Sequence, residues 1–195
     1  EVLIDTVGSE LLAILRDCGG QGELLNGRDH GFLRAVKKTL PDHPESDLGC
    51  VGDPVDIDDT RLARILERHA IPLIAPVACS PEGTDRTLYN VNGDNASALI
   101  ARELKAEKLV FLSDIPGICE KKGDHTSLCP HLTEAQTRRL IADGVIDGGM
   151  IPKVEACCHA LDGGVRKAHI VPGAQAHALL LEIFTERGVG TEIVL

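Results

Sequence analysis

Aromatic residues are nearly missing from this chain. Its 195 residues include no tryptophan, one tyrosine (Tyr89) and three phenylalanines. The core therefore has to come from Leu, Ile, Val and Ala, which strands buried on both faces prefer. A basic surface is missing too. The net charge is -10, which argues against displacing counterions from a nucleic-acid backbone. A small anionic ligand stays open, because a few Lys and backbone N–H groups suffice for it. No apolar run reaches the ~18 residues of a membrane span. No basic start, apolar stretch and small-residue cleavage site marks a secretory leader. The expectation is a cytoplasmic protein with neither a nucleic-acid nor a membrane partner.

Several motifs are absent as well. The seven cysteines form an odd set without C-x-x-C spacing, so neither a disulfide framework nor a zinc site is indicated. Most of them read as small buried fillers of a reducing compartment. The eight histidines show no H-E-x-x-H spacing, and no metal ligand is nominated. There is no G-x-x-x-x-G-K-[ST] loop and no G-x-S-x-G elbow, which argues against a P-loop enzyme or a serine hydrolase.

What remains is an alternation of strands and helices. Short apolar runs read as strands at Val2–Ile4, within 22–38, and at Leu48–Val51, Pro72–Val77, Lys108–Leu112, Lys167–Val171 and Thr191–Leu195. The run at 22–38 is expected to be a strand pair about the turn Asn26–Asp29. Amphipathic spacing with start and stop signals predicts helices after Ser9, from Asp58 to about His69, and from Asn95 to about Leu104. Further helices are expected over Thr133–Ala142, from Gly149 to about Leu161, and over Ala174–Arg187. The stretches 41–46 and 80–87 read as loops. Such alternation predicts an α/β fold with a mostly parallel sheet covered on both faces. Its ligand sites belong at the C-terminal ends of strands. No repeat or linker divides residues 1–195, so a single domain is expected. Glu1-Val2-Leu3-Ile4 reads at once as a strand without an initiating Met, as in a chain that starts inside a longer protein.

Three clusters could carry chemistry. Asn90-Val91-Asn92-Gly93-Asp94 puts two amides and a carboxylate at alternate positions, on one side of an extended backbone. Taken alone it reads more simply as an N-cap cluster. Leu112-Ser113-Asp114-Ile115-Pro116-Gly117-Ile118 leaves a buried strand where an open α/β sheet holds nucleotides. Pro116 would fix the turn and Gly117 would allow close approach; an ordinary strand exit is the alternative. Asp147-Gly148-Gly149-Met150-Ile151-Pro152-Lys153 exposes backbone N–H groups at a helix start, which suits an anion. Lys153 stands where the helix dipole disfavours a cation, which a phosphate would explain. A solvated lysine after a glycine turn is the other reading.

The order of these motifs is more specific than any one of them. Y-N-V-N-G-D, K-L-V-F-L-S-D-I-P-G-I, G-V-I-D-G-G-M-I-P-K-V and H-A-L-L-L-E-I-F-T-E-R-G-V-G-T together resemble the acetylglutamate kinase family. The likeness also covers Gly8-Ser9-Glu10-Leu11, Asn26-Gly27-Arg28-Asp29 and Ile71–Pro76. The resemblance implies the amino-acid kinase fold, a three-layer α/β/α sandwich. It also implies ATP-dependent phosphorylation of the side-chain carboxylate of N-acetyl-L-glutamate in arginine biosynthesis, with Mg2+ arriving on ATP. By position, Asn90 would hold N-acetyl-L-glutamate, Asp94 would organise the catalytic lysines, and Lys153 would stabilise the transferring phosphoryl group. Asp114, Ile115, Pro116, Gly117, Ile118 and Cys119, with Val145, Ile146 and Asp147, would hold ATP.

The family's first third finds no match, including a K-x-G-G segment with a second lysine, a G-G-G-P-like loop and a substrate-gripping arginine. The chain is therefore read as a partial domain that binds nucleotide better than it catalyses. Gly93 replaces a usual Ala, and Val171-Pro172-Gly173-Ala174 replaces a stretch where an acid, glycine and arginine are common. The C-terminal motif resembles the arginine-inhibited branch and implies an L-arginine effector site near Glu182 and Gly188. A helix-face acid and a C-cap glycine is the structural alternative. A homo-oligomer is expected of the complete protein. Two other functions stay open: another acyl-phosphate-forming kinase, or a catalytically silent arginine-sensing domain like those attached to some acetylglutamate synthases.

Overall fold

A computed structural model of the chain describes residues 1–43, 45–81, 86–186 and 188–195. The expected loops at 41–46 and 80–87, and the expected helix end at Arg187, lie partly outside the described residues. The chain forms two compact units, Glu1–Leu99 and Ile100–Leu195.

The first unit opens with a wide π-type helical segment, Val2–Gly8, which runs into α1 (Ser9–Asp17). This corrects the strand expected at Val2–Ile4. Three adjacent apolar residues fit either structure, and burial decides between them. Ile4 and Gly8, one helical turn apart, face inward, while Val2 is exposed. A Cβ on Gly8 would stand 2.8 Å from a Leu24 methyl. Arg28 ties the segment down, donating to Asp5 at 2.6 and 2.8 Å and to Asp29 at 2.7 Å. Its guanidinium holds both carboxyls below their ordinary value.

The expected strand pair at 22–38 also takes another form. β1 (Gly22–Leu25) and β2 (Leu33–Lys37) do not pair with each other. Between them lies one helical turn, α2 (Gly27–His30). The buried Asn26 caps it, accepting the Asp29 N–H at 2.8 Å. Gly27 has no alternative there, because a Cβ would fall 2.4 Å from the Cys79 backbone nitrogen. β1 runs parallel to β4 (Ile71–Ile74). β2 closes a small barrel with β3 (Val51–Ile57), β5 (Val77–Cys79) and β6 (Leu88–Val91), in the order β2-β3-β6-β5. β3 lies beyond the expected strand at 48–51. Its Pro54 and two Asp residues disguise it, and Pro54 is tolerated beside the register shift at Arg34/Ala35. α3 (Asp59–Glu67) starts as expected, with the Asp58 carboxylate accepting the Arg61 N–H at 3.2 Å. α4 (Gly93–Glu103) begins where Asn92 accepts the Asn95 N–H at 3.0 Å.

The second unit is a four-stranded sheet in the order β7-β9-β10-β8, made of β7 (Lys108–Ser113), β8 (His131–Thr133), β9 (Lys167–Pro172) and β10 (Thr191–Val194). β7 is parallel to β9 and β8 to β10, while β9 and β10 are antiparallel. α5 (Glu134–Ala142) opens with a Thr133/Gln136 capping box. α6 (Met150–Asp162) buries Val154, Ala156, Cys157, Cys158, Ala160 and Leu161. Burial holds the Cys158 thiol up at about 11, as an inert filler requires. α7 (Ala178–Phe184) starts later than the Ala174 expected, because His177 before it adopts φ +61°. Among the described residues no helix is long and apolar enough to cross a membrane.

Candidate functional site

The second unit carries a cavity of about 470 Å³, lined by residues 113–119, Lys122, Gly123, 145–147, Gly149, Met150 and Lys153. That volume lies in the range of small-molecule sites. Three stretches meet there, the first well separated in sequence from the other two, each placed by a different local device.

The first stretch leaves the C-terminal end of β7. Ser113 is buried, and its carbonyl accepts the Gly173 N–H at 2.7 Å, which moors the strand end to the neighbouring turn. The chain then turns through Pro116 and Gly117, whose φ of +143° suits glycine alone. A Cβ there would stand 2.6 Å from Thr191 Oγ1 and 2.9 Å from a Leu128 methyl. Ile118 is buried and fixed on both sides. Its N–H donates to Thr191 Oγ1 at 2.9 Å, and its carbonyl accepts the Cys129 N–H at 2.8 Å. The second stretch follows α5. The N–H groups of Val145 and Ile146 both donate to the Leu140 carbonyl, at 3.0 and 3.1 Å. That wraps residues 145–147 back over the helix end and buries Ile146. The third is the start of α6. Lys153 is half-buried, with its ammonium 4.7 Å from the centroid of the buried Phe111 ring. Such a cation–π contact offsets part of the unfavourable dipole.

All nine residues nominated for a nucleotide line this one cavity with Lys153. Sequence alone does not point to two more residues: Lys122, which lines the cavity, and Thr191, which lies outside the lining and meets Gly117 and Ile118. Lys122 forms an ion pair with Asp147. A lysine in a polar loop gives no sequence signal. Thr191, buried at the start of β10, reads in sequence only as a β-branched strand former.

The other nominees lie elsewhere. Asn90 is exposed on β6 of the first unit, and Asp94 lies in the first turn of α4. The capping alternative holds for Asn92. Glu182 and Gly188 belong to the second unit but do not line its cavity. Glu182 is a buried carboxylate with three partners. It accepts from the Val189 N–H at 2.7 Å, from the Gly190 N–H at 3.0 Å and from His169 Nδ1 at 2.8 Å. An ionised acceptor requires the ring proton to sit on that nitrogen. Gly188 has φ +59°, and a Cβ there would meet Glu182 Oε2 at 2.6 Å.

Burial alone would raise the Glu182 pKa. The Val189, His169 and Gly190 hydrogen bonds outweigh it and hold the carboxyl below its ordinary 4.5. A depressed carboxylate stabilises the fold above the unfolded value, and that stabilisation is lost as pH falls through the folded one. The protein is therefore expected to keep this contribution at pH 7 and to lose it below about pH 4.5. Glu182→Gln should cost about 1–3 kcal/mol at pH 7 and flatten the acid limb. Denaturant melts of both proteins at pH 7 and near pH 3 check this. Equal losses on acidification would refute it.

A model described as the amino acid kinase family matches residues 6–172. The chain is 45% identical to an acetylglutamate kinase of Sinorhizobium medicae (strain WSM419), covering 99% of this chain and 66% of that protein. It is 40% identical to an acetylglutamate kinase of Caldanaerobacter subterraneus subsp. tengcongensis, covering 98% of this chain and 62% of that one. The chain thus spans less than two thirds of the length of these relatives. Among solved structures it is similar to N-acetylglutamate synthase from Neisseria gonorrhoeae complexed with coenzyme A and N-acetyl-glutamate. There the TM-score is 0.82 and the identity 26%, over 97% of this chain and 41% of that one. The family match runs unbroken across both units and takes in every cavity residue. With its mixed α/β fold and parallel strands, the chain belongs to the amino acid kinase family.

Proposed function

We propose that the second unit binds ATP, and that the chain is the nucleotide-binding portion of an enzyme that phosphorylates N-acetyl-L-glutamate. One observation carries the reading: residues 114–119, 145–147 and Lys153 line a single cavity at the C-terminal end of β7. The fit to a nucleotide is chemical. The cavity joins Lys122 and Lys153 with the Gly149 start of a 13-residue helix, whose positive end favours phosphate. Its Ile115, Pro116, Val145 and Met150 offer an apolar surface for a base.

Phosphoryl transfer from ATP to a carboxylate joins two anions, so catalysis is mostly positioning and charge neutralisation. A side-chain carboxylate oxygen forms a bond to the γ-phosphorus while the bond to the β–γ bridging oxygen breaks. ADP leaves, and the product is N-acetyl-L-glutamyl 5-phosphate. Mg2+ enters with ATP and offsets phosphate charge. Lys153 carries positive charge to the transferring group, Asp94 orients cationic side chains, and Asn90 holds the acetylated substrate. L-arginine as an inhibitor acting near Glu182 and Gly188, and a homo-oligomer of the complete protein, are further parts of this reading.

The likeness to an N-acetylglutamate synthase favours one alternative, a catalytically silent sensor domain. Calorimetry on this chain decides between them. ATP is expected to bind at one site per chain, competitively with ADP. Arginine binding without nucleotide binding would favour the sensor. In a chain of the relatives' full length, a panel of N-acetyl-L-glutamate, L-aspartate and L-glutamate separates this kinase from others that form acyl phosphates.

A further inference from the structure

We infer that Thr191 is a positioning residue for the nucleotide loop, its hydroxyl setting where the backbone of Pro116–Cys119 stands in the cavity. The inference rests on the nucleotide reading above and adds to it a residue outside the cavity lining.

Thr191 is fully buried at the first position of β10. A valine would fill the same space and suit a strand equally well. A buried hydroxyl costs free energy unless it is bonded, so its presence needs a partner. The partner is the Ile118 N–H at 2.9 Å, 73 residues away in the chain. The neighbouring residue meets the same oxygen. The missing Cβ of Gly117 leaves the space that Thr191 Oγ1 occupies, 2.6 Å from where that Cβ would be. Hydroxyl and glycine are complementary: one needs the other's gap, and the loop's φ of +143° needs the glycine.

The threonine is itself held from behind. Thr191 pairs with Ile170 of the buried strand β9. The two residues before it are fixed by Glu182, which accepts both the Val189 and the Gly190 N–H. Gly190 is pressed against that strand, where a Cβ would lie 2.2 Å from the Ile170 carbonyl. A run of short contacts therefore leads from the buried Glu182 carboxylate through residues 189–191 to Ile118. The loop's place is set by the C-terminal strand rather than by the loop's own sequence.

The test compares this chain with Thr191→Val and Thr191→Ser, using ATP titration by calorimetry and hydrogen exchange at the Ile118 amide. Val keeps the shape and loses the acceptor; Ser keeps the acceptor. Thr191→Val is expected to weaken ATP binding about tenfold, the size of one buried hydrogen bond left unmade. It should also lose protection at Ile118, and Thr191→Ser should restore both to near the parent values. A residue that merely stabilised the fold would change the melting temperature and leave the ATP affinity of the folded protein alone. Unchanged ATP affinity in Thr191→Val overturns the inference. So does an Ile118 amide that exchanges like an exposed loop amide in the parent chain. If Thr191→Val does not fold, Thr191→Cys takes its place, since a thiol is a weak acceptor. A parent chain that binds no ATP removes the nucleotide reading itself, which is a different result from binding that the variants leave unaltered.

Discussion

Replacing Lys153 with alanine is expected to lower turnover by about 10²–10³-fold, the usual cost of removing one group that stabilises transition-state charge. The measurement is steady-state kinetics with ATP and N-acetyl-L-glutamate, in a chain of the relatives' full length. The fold should survive. Lys153 is half-buried, and its contact with the Phe111 ring, 4.7 Å to the centroid, is of a kind worth about 0.5–2 kcal/mol. The lysine also sits at the wrong end of a helix dipole, so its removal relieves part of what it contributed. A small change in melting temperature with a large loss of turnover is therefore the signature of a charge kept for its ligand. Lys153→Arg tests whether position matters as well as charge: a planar guanidinium does not replace a compact ammonium, so it should rescue poorly. An alanine variant with the parent's turnover would end the assignment.

Gly117→Ala is expected to abolish most nucleotide binding, with a loss of about two orders of magnitude in ATP affinity. Two penalties act together. A φ of +143° is unfavourable for any residue with a Cβ, costing roughly 1–3 kcal/mol. The added methyl would also stand 2.6 Å from Thr191 Oγ1, a contact that neither the buried strand nor the loop can relieve without moving. Since about 1.4 kcal/mol is tenfold, strain of this size moves the loop out of its bound geometry instead of being absorbed. Gly144→Ala is the control. Gly144 has φ +70°, yet a Cβ there meets nothing within 4 Å. It should lower stability modestly and leave ATP affinity near the parent value. Calorimetry and thermal melts of both variants check the pair. Equal affinities in the two would mean that the loop is not held where the structure places it.

Legibility followed the range of the interactions. Caps act over three or four residues, and their signals were readable: Asp58 caps α3 and Thr133 with Gln136 caps α5, each where expected. Asn92 was readable only as a cluster member, because its neighbours Asn90 and Asp94 carry the same chemistry. β3 is hard to place from sequence because Pro54, Asp53 and Asp56 make its local propensity poor. The strand exists because β2 and β6 flank it in a closed barrel. Val2–Gly8 is illegible for the opposite reason, since an apolar triplet suits either structure and only the burial of Ile4 and Gly8 settles it.

The amino-acid sequence by itself determined the α/β class, the loop after β7, the glycine-led start of α6 and the lysine that follows it. Each is written in residues a few positions apart, where turn, cap and dipole chemistry operate. The tertiary structure alone decided that those stretches share one cavity, that Lys122 reaches Asp147, and that a threonine 73 residues from Ile118 holds its amide. Those facts depend on which strands lie side by side. Strand order is settled by competition among all the buried surfaces of the chain, and no local stretch of sequence records its outcome.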